Sequence, residues 1–122
     1  MRFMLIMIPD VYRKPVSPDF VPDAEAVRKM GAYNDRLQKA GVLLALDGLM
    51  PPSTGARVSF STGRPLVTDG PFAETKEVFG GYWMIQVGSR QEAIEWARQC
   101  PADRGDVIEV RQVFEAGDFE QS

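Results

Sequence analysis

Apolar residues fill both faces of the first predicted strand. In Arg2–Ile8, Phe3, Leu5 and Met7 point one way and Met4, Ile6 and Ile8 the other, so the segment predicts a strand covered on both sides. Val11 to Val21 carries Pro15 and Pro18 and predicts a loop. Pro22-Asp23 marks a helix start, and the helix predicted from there runs to about Ala40. Its apolar stripe is Val27, Met30, Leu37 and Ala40, with Tyr33 at the edge and Gly41 as the stop.

Val42 to Leu49 predicts a second strand, ended by Gly48 and Pro51-Pro52. Ala56 to Ser61 and Pro65 to Thr68 predict a short hairpin across Thr62-Gly63. After a polar loop, Phe79 to Val87 is rich in strong β formers. Ser89 followed by Glu92 reads as a capping box, and the helix it opens uses Ala93, Ile94, Ala97 and Cys100, with Pro101 after its end. Val107 to Phe114 predicts the last strand, and the tail from Glu115 has Phe119 as its apolar handle.

The order is β-α-β, an inserted hairpin and loop, then β-α-β. This is the α+β, ferredoxin-like (split βαβ) pattern, with both helices on one face of an antiparallel sheet. The other face then carries Met4, Ile6 and Ile8 uncovered, and a large bare apolar patch on a monomer is unusual. A homodimer of the dimeric α/β-barrel type, with the open sheet faces together, resolves the conflict.

Composition narrows the function classes. A chain of 122 residues, 44% hydrophobic, predicts one domain over residues 1–122 with a real core. Its 14 basic and 17 acidic side chains, net −3, give no footprint for nucleic acid. The lone Cys100 excludes an internal disulfide and fits a reducing compartment. Met1 to Ile8, stopped by Pro9-Asp10, is too short to span a membrane and makes a poor signal peptide, so a cytoplasmic location is expected. The chain has no histidine, which removes Ser-His and Cys-His pairs and most zinc sites, and no cofactor is expected. Proton transfer would fall to Asp, Glu, Lys or Tyr.

In the last strand Glu109 and Arg111 share a face with Val107 and Val113 by the two-residue period. They read either as a solvated ion pair or as polar groups in an inter-subunit cleft that Tyr82, Met84 and Gln86 would also line. The loop Asp69-Gly70-Pro71-Phe72-Ala73-Glu74-Thr75-Lys76-Glu77 packs four charged side chains between turn residues. In one reading Asp69 caps the turn and the rest is solvated. In the other, Asp69 or Glu77 is an acid or base, Lys76 tunes it or holds an anion, and Phe72 anchors the loop in the core. Tyr33 reads as a core-edge tyrosine with a wet hydroxyl, or as a cleft residue. Asp47 stands inside an apolar strand, at its exposed end or in the cleft. Cys100, at the negative end of a helix, reads as packing rather than a nucleophile. Gly80-Gly81 reads as a bend or bulge.

These residues resemble the YCII-related family and, within it, the DGPF-domain branch. The resemblance is carried by Tyr33-Asn34, Gly48-Leu49-Met50-Pro51-Pro52, the block from Val67 to Glu77, Gly80-Gly81-Tyr82-Trp83 and Ile108-Glu109-Val110-Arg111. It implies the ferredoxin-like fold and a dimer with a cleft between the sheets. Some relatives of this branch are encoded beside sigma factors, while the YciI branch has a His-Asp arrangement that a chain without histidine cannot reproduce. Two readings follow. The first is a dimeric small-molecule-binding protein with room for catalysis. Its cleft would hold Asp69 and Glu77 as acid–base groups and Tyr33, Lys76, Tyr82, Glu109 and Arg111 as ligand contacts. Lys76 and Arg111 would favour an anionic or carbonyl ligand. The second is a regulatory module acting with a sigma factor or another protein. Monooxygenase-like chemistry would rest on fold analogy alone.

Overall fold

The structure, a computed structural model, describes residues 1–72 and 77–120. The strands are β1 (Arg2–Ile8), β2 (Leu43–Gly48), β3 (Ala56–Ser59), β4 (Leu66–Asp69), β5 (Gly81–Gln86) and β6 (Val107–Gln112), and the helices are α1 (Ala24–Lys39) and α2 (Arg90–Arg98). Four strands form an open sheet in the order β2-β5-β1-β6, while β3 and β4 make a separate two-stranded ribbon. Neighbours in the large sheet are antiparallel. It follows that β1 and β2, joined through α1, run parallel with β5 between them. β5 and β6, joined through α2, run parallel with β1 between them. No helix among the described residues is long and apolar enough to cross a membrane.

The doubly apolar β1 is a central strand, and its two faces have different fates. Phe3, Leu5 and Met7 are buried against Trp83, Ile85 and Val87, with Tyr33 and Leu37 of α1 and Ala93 of α2 closing the core over them. Met4, Ile6 and Ile8 on the opposite face are only half-buried.

Asp23 caps α1 by accepting the Ala26 N–H at 2.8 Å, which leaves Pro22 before the cap rather than in the first turn. The buried face of α1 is Ala26, Met30, Tyr33 and Leu37, spaced by four, three and four residues. Val27 lies one residue off that row and is exposed, contrary to the stripe read from the sequence. Tyr33 is likewise corrected: it is 1% exposed at the centre of the core, and its hydroxyl donates to the Trp96 carbonyl at 2.7 Å. α2 shows half of the expected capping box. Ser89 Oγ accepts the Glu92 N–H at 3.1 Å, but the Glu92 carboxylate reaches back to Gly88 N–H at 2.8 Å, one residue earlier than expected.

Every residue of the β3–β4 ribbon is exposed, with Val58 opposite Val67. At its base Gly70 donates to the Gly55 carbonyl at 2.8 Å, and a Cβ there would run into the Pro52 carbonyl oxygen. The glycine is required by this close approach and not by its φ, which is not positive. Phe72, expected as a core anchor, instead lies half-buried under the Arg57 guanidinium, 3.9 Å from its ring centre. The expectations for Glu74 and Lys76 fall outside the described residues.

Candidate functional site

Where β1 and β2 end and β5 and β6 begin, the chain leaves a cavity of about 750 Å³. Its walls come from segments far apart in sequence: the loop after β1, the first turns of α1, the end of β2, the start of β5 and the approach to β6. The lining is mainly apolar, with Met7, Met30, Leu46 and Leu49 beside the rings of Tyr12, Phe20, Tyr82 and Trp83.

Backbone and side-chain bonds hold these walls in place. Gly80 N–H donates to the Met7 carbonyl at 2.8 Å, and Leu49 N–H to the Gly80 carbonyl at 2.9 Å. A Cβ on Gly80 would come within 2.6 Å of the Pro9 ring, and one on Gly81 within 2.9 Å of the Asp47 carbonyl oxygen. Gly80-Gly81 is therefore a point of close packing that lets the loop and β2 meet the start of β5. The loop after β1 is tied down by Asp106, whose two carboxylate oxygens accept the Asp10 and Asp103 N–H groups, each at 2.8 Å. Tyr12 is buried, packs edge-on against Phe20 at 6.0 Å and donates its hydroxyl to the Leu49 carbonyl at 3.3 Å. Burial pushes its phenol pKa up.

Two polar pairs are made by residues of this lining, the first on the helix-covered side of the sheet and the second on its open side. Trp83 Nε1–H donates to Asn34 Oδ1 at 2.7 Å, which leaves the Asn34 amide nitrogen as the donor available to the cavity. Tyr82 donates its hydroxyl to Asp47 Oδ2 at 3.0 Å, and that bond, followed by the Asp47 charge, raises the Tyr82 phenol pKa. No group of three or more acids or thiols with metal-binding geometry occurs among the described residues.

The structure divides the residues singled out in the sequence. Tyr82, Glu109 and Arg111 share the open face of the large sheet, because Ile6 is paired with both Tyr82 and Glu109 and Met4 is paired with Arg111. Arg111 Nη1 donates to Glu109 Oε2 at 3.1 Å, and Asp47, opposite Tyr82, belongs to the same face. Asp69 ends β4 and Glu77 follows in the next loop; both are exposed. Among the described residues, neither makes a hydrogen bond or ion pair with that trio. Tyr33 is in the core, and Lys76 is outside the described residues. Cys100 is half-buried and its thiol is pushed up to about 12, first by burial and then by the Asp106 charge, which leaves it unreactive.

Sequence reasoning missed the cavity and most of its walls. Tyr12, Phe20 and Asn34 belong to a loop and a helix face that no local pattern relates to β2 and β5. The detectable signals were Asp47 in an apolar strand and the Gly80-Gly81 pair.

Comparison with known proteins adds kinship. The model of a family described as the YCII-related domain matches residues 1–117. An uncharacterised protein of Rhizobium meliloti (strain 1021) is 37% identical over 76 residues, 62% of this chain and 61% of that relative. The chain thus matches less than two thirds of the relative's length.

Proposed function

Because the chain belongs to the YCII-related family, we propose that it is a small-molecule-binding protein of the DGPF branch. In this reading it has a ferredoxin-like fold and works as a homodimer. The observation that carries the reading is the cavity of about 750 Å³, within the roughly 300–1,000 Å³ usual for ligand sites, with an apolar wall and few polar groups. The Asp69-Gly70-Pro71-Phe72 string, with Gly70 locked against Pro52, supports the branch assignment. The strand order β2-β5-β1-β6 with both helices over one face supports the fold name.

The open sheet face supports the dimer. Met4, Ile6, Ile8 and Met84 form an apolar surface that a second copy would cover, with Glu109 and Arg111 at a two-fold contact. Tyr82 and Asp47 belong to this face and also line the cavity, so a dimer would bring the cavity mouth to the subunit boundary. If that boundary supports catalysis, Asp69 and Glu77 are its acid–base candidates.

Native mass spectrometry on protein purified gently from its host tests both parts. The expected result is a dimer carrying an added small mass, which is lost in Ala26→Trp, a substitution that fills the cavity from α1. Ile6→Arg is expected to give a folded monomer. A wild-type monomer at micromolar concentration would refute the dimer. An adduct that survives Ala26→Trp would refute the cavity as its site.

A further inference from the structure

The cavity wall has a charge sign, and we infer from it that the ligand is an organic cation on an apolar body. The inference rests on the proposal that the cavity binds a small molecule. Five aspartates and one arginine, Arg104, line the space. Asp10, Asp103 and Asp106 meet on one side of the wall and Asp23 and Asp47 come from elsewhere; with no metal-binding group among the described residues, they act as a field over an apolar chamber rather than as a metal cage. Most have structural tasks and, among the described residues, no cationic side chain as a partner. Asp106 accepts two backbone N–H groups, Asp23 caps α1 and Asp47 accepts the Tyr82 hydroxyl. Asp10 has a cationic partner, with Arg13 Nε at 3.3 Å. Arg104 has no ion-pair partner among the described residues, and it stands alone against this set.

The aromatic rings favour the same sign. Tyr12, Phe20 and Trp83 line the cavity on the helix-covered side, and ring faces attract ammonium groups through their quadrupoles. A ligand carboxylate would meet both the aspartates and those faces unfavourably, so the wall discriminates by repulsion as well as attraction. An ammonium near Asp23, its apolar body against Trp83 and Met30, uses the lining on the helix-covered side of the sheet. The Asn34 amide nitrogen, without a hydrogen bond among the described residues, can donate to an acceptor on that body.

The test is an NMR titration with matched probes. Benzyl, cyclohexylethyl and indolylethyl bodies are each presented as the amine, the alcohol and the carboxylate. The Trp83 indole N–H reports from the cavity wall, and Trp96, which is not in the lining, serves as the internal control. For at least one body the amine is expected to saturate the Trp83 shift at about tenfold lower concentration than the alcohol, with the carboxylate weaker still. Asp23→Asn, which removes a charge but keeps a good helix cap, should weaken the amine severalfold and leave the alcohol unchanged. Alcohols or carboxylates binding as tightly as amines would overturn the cation inference while leaving the cavity as a binding site. No Trp83 shift from any probe would overturn both.

Discussion

The two faces of the large sheet have similar apolar chemistry and opposite outcomes. On the helix-covered face Phe3, Leu5 and Met7 lie under Tyr33, Leu37 and Ala93, and the layer is complete within one chain. On the open face Met4, Ile6 and Ile8 alternate with them along the same strand, yet they stop at half burial beside Tyr82, Glu109 and Arg111. A single chain thus covers one face of β1, and the proposed second copy would cover the other. The contrast extends to the polar groups. The closed face has its polar atoms paired internally, as with the Tyr33 hydroxyl on Trp96, whereas the open face and the cavity beside it keep ionised groups near solvent.

The largest effect should come from breaking the closed face. Leu37→Ala removes a side chain with no exposed surface and should cost about 2–5 kcal/mol in urea unfolding, independent of protein concentration. Ile6→Ala is the matched change on the open face. With a second copy over that face, its cost should depend on protein concentration, because association is linked to folding. A small, concentration-independent cost, under ~1 kcal/mol as for a half-exposed side chain, would show that the face stays bare.

Next comes the polar seam between core and cavity. Asn34→Ala leaves the Trp83 indole N–H without its partner and should destabilise by about 1–3 kcal/mol. In the same variant the Trp83 indole proton resonance should move while that of Trp96 stays in place. Wild-type stability in Asn34→Ala would show that water replaces the amide and that the seam is wet.

How much of this was legible in the sequence follows from the range of the signal. The strands, the helices, the hairpin and the sharing of one face by Glu109 and Arg111 all follow from periods of two and 3.6 residues and from turn chemistry, which act over short segments. Tyr33 was misjudged because its burial depends on Trp83 and Trp96, 50 and more residues away, as was Phe72, whose partner Arg57 lies across the ribbon. The cavity was hidden for the same reason. Its walls meet only after the loop bearing Tyr12 and Phe20 folds over the end of the sheet.

A smaller effect compares the tyrosines of the two regions. All three phenols are raised: Tyr12 and Tyr33 by burial, Tyr82 by its bond to Asp47. A phenol pKa raised on folding contributes stability that is fully present below the unfolded value of about 10 and is lost as pH rises through the folded pKa. The 295 nm titration of the native protein should therefore lag that of the urea-unfolded chain, and Tyr33 should ionise only as the protein unfolds. Tyr82→Phe should remove the phenol that answers to Asp47 and leave the Tyr33 step in place. Coincident native and unfolded curves would contradict the buried placement of Tyr33.

The smallest effect is expected at the rim of the open face. Arg2 Nε and Nη2 donate to the two Glu115 carboxylate oxygens at 2.7 and 3.1 Å. The Arg2 hydrogen bond holds the Glu115 carboxyl pKa below its ordinary value. A carboxyl lowered on folding contributes stability that is present above the unfolded value, about 4.3, and is lost as pH falls through the folded pKa, so the window lies on the acid side. Arg2→Gln should return the Glu115 titration, followed by carbon NMR, to the ordinary carboxylate range. It should leave the urea midpoint at pH 7 nearly unchanged, because water screens so exposed a pair. A large loss at pH 7 would mean that this rim is covered in solution, which would extend the second layer from Met4, Ile6 and Ile8 out to the end of β1.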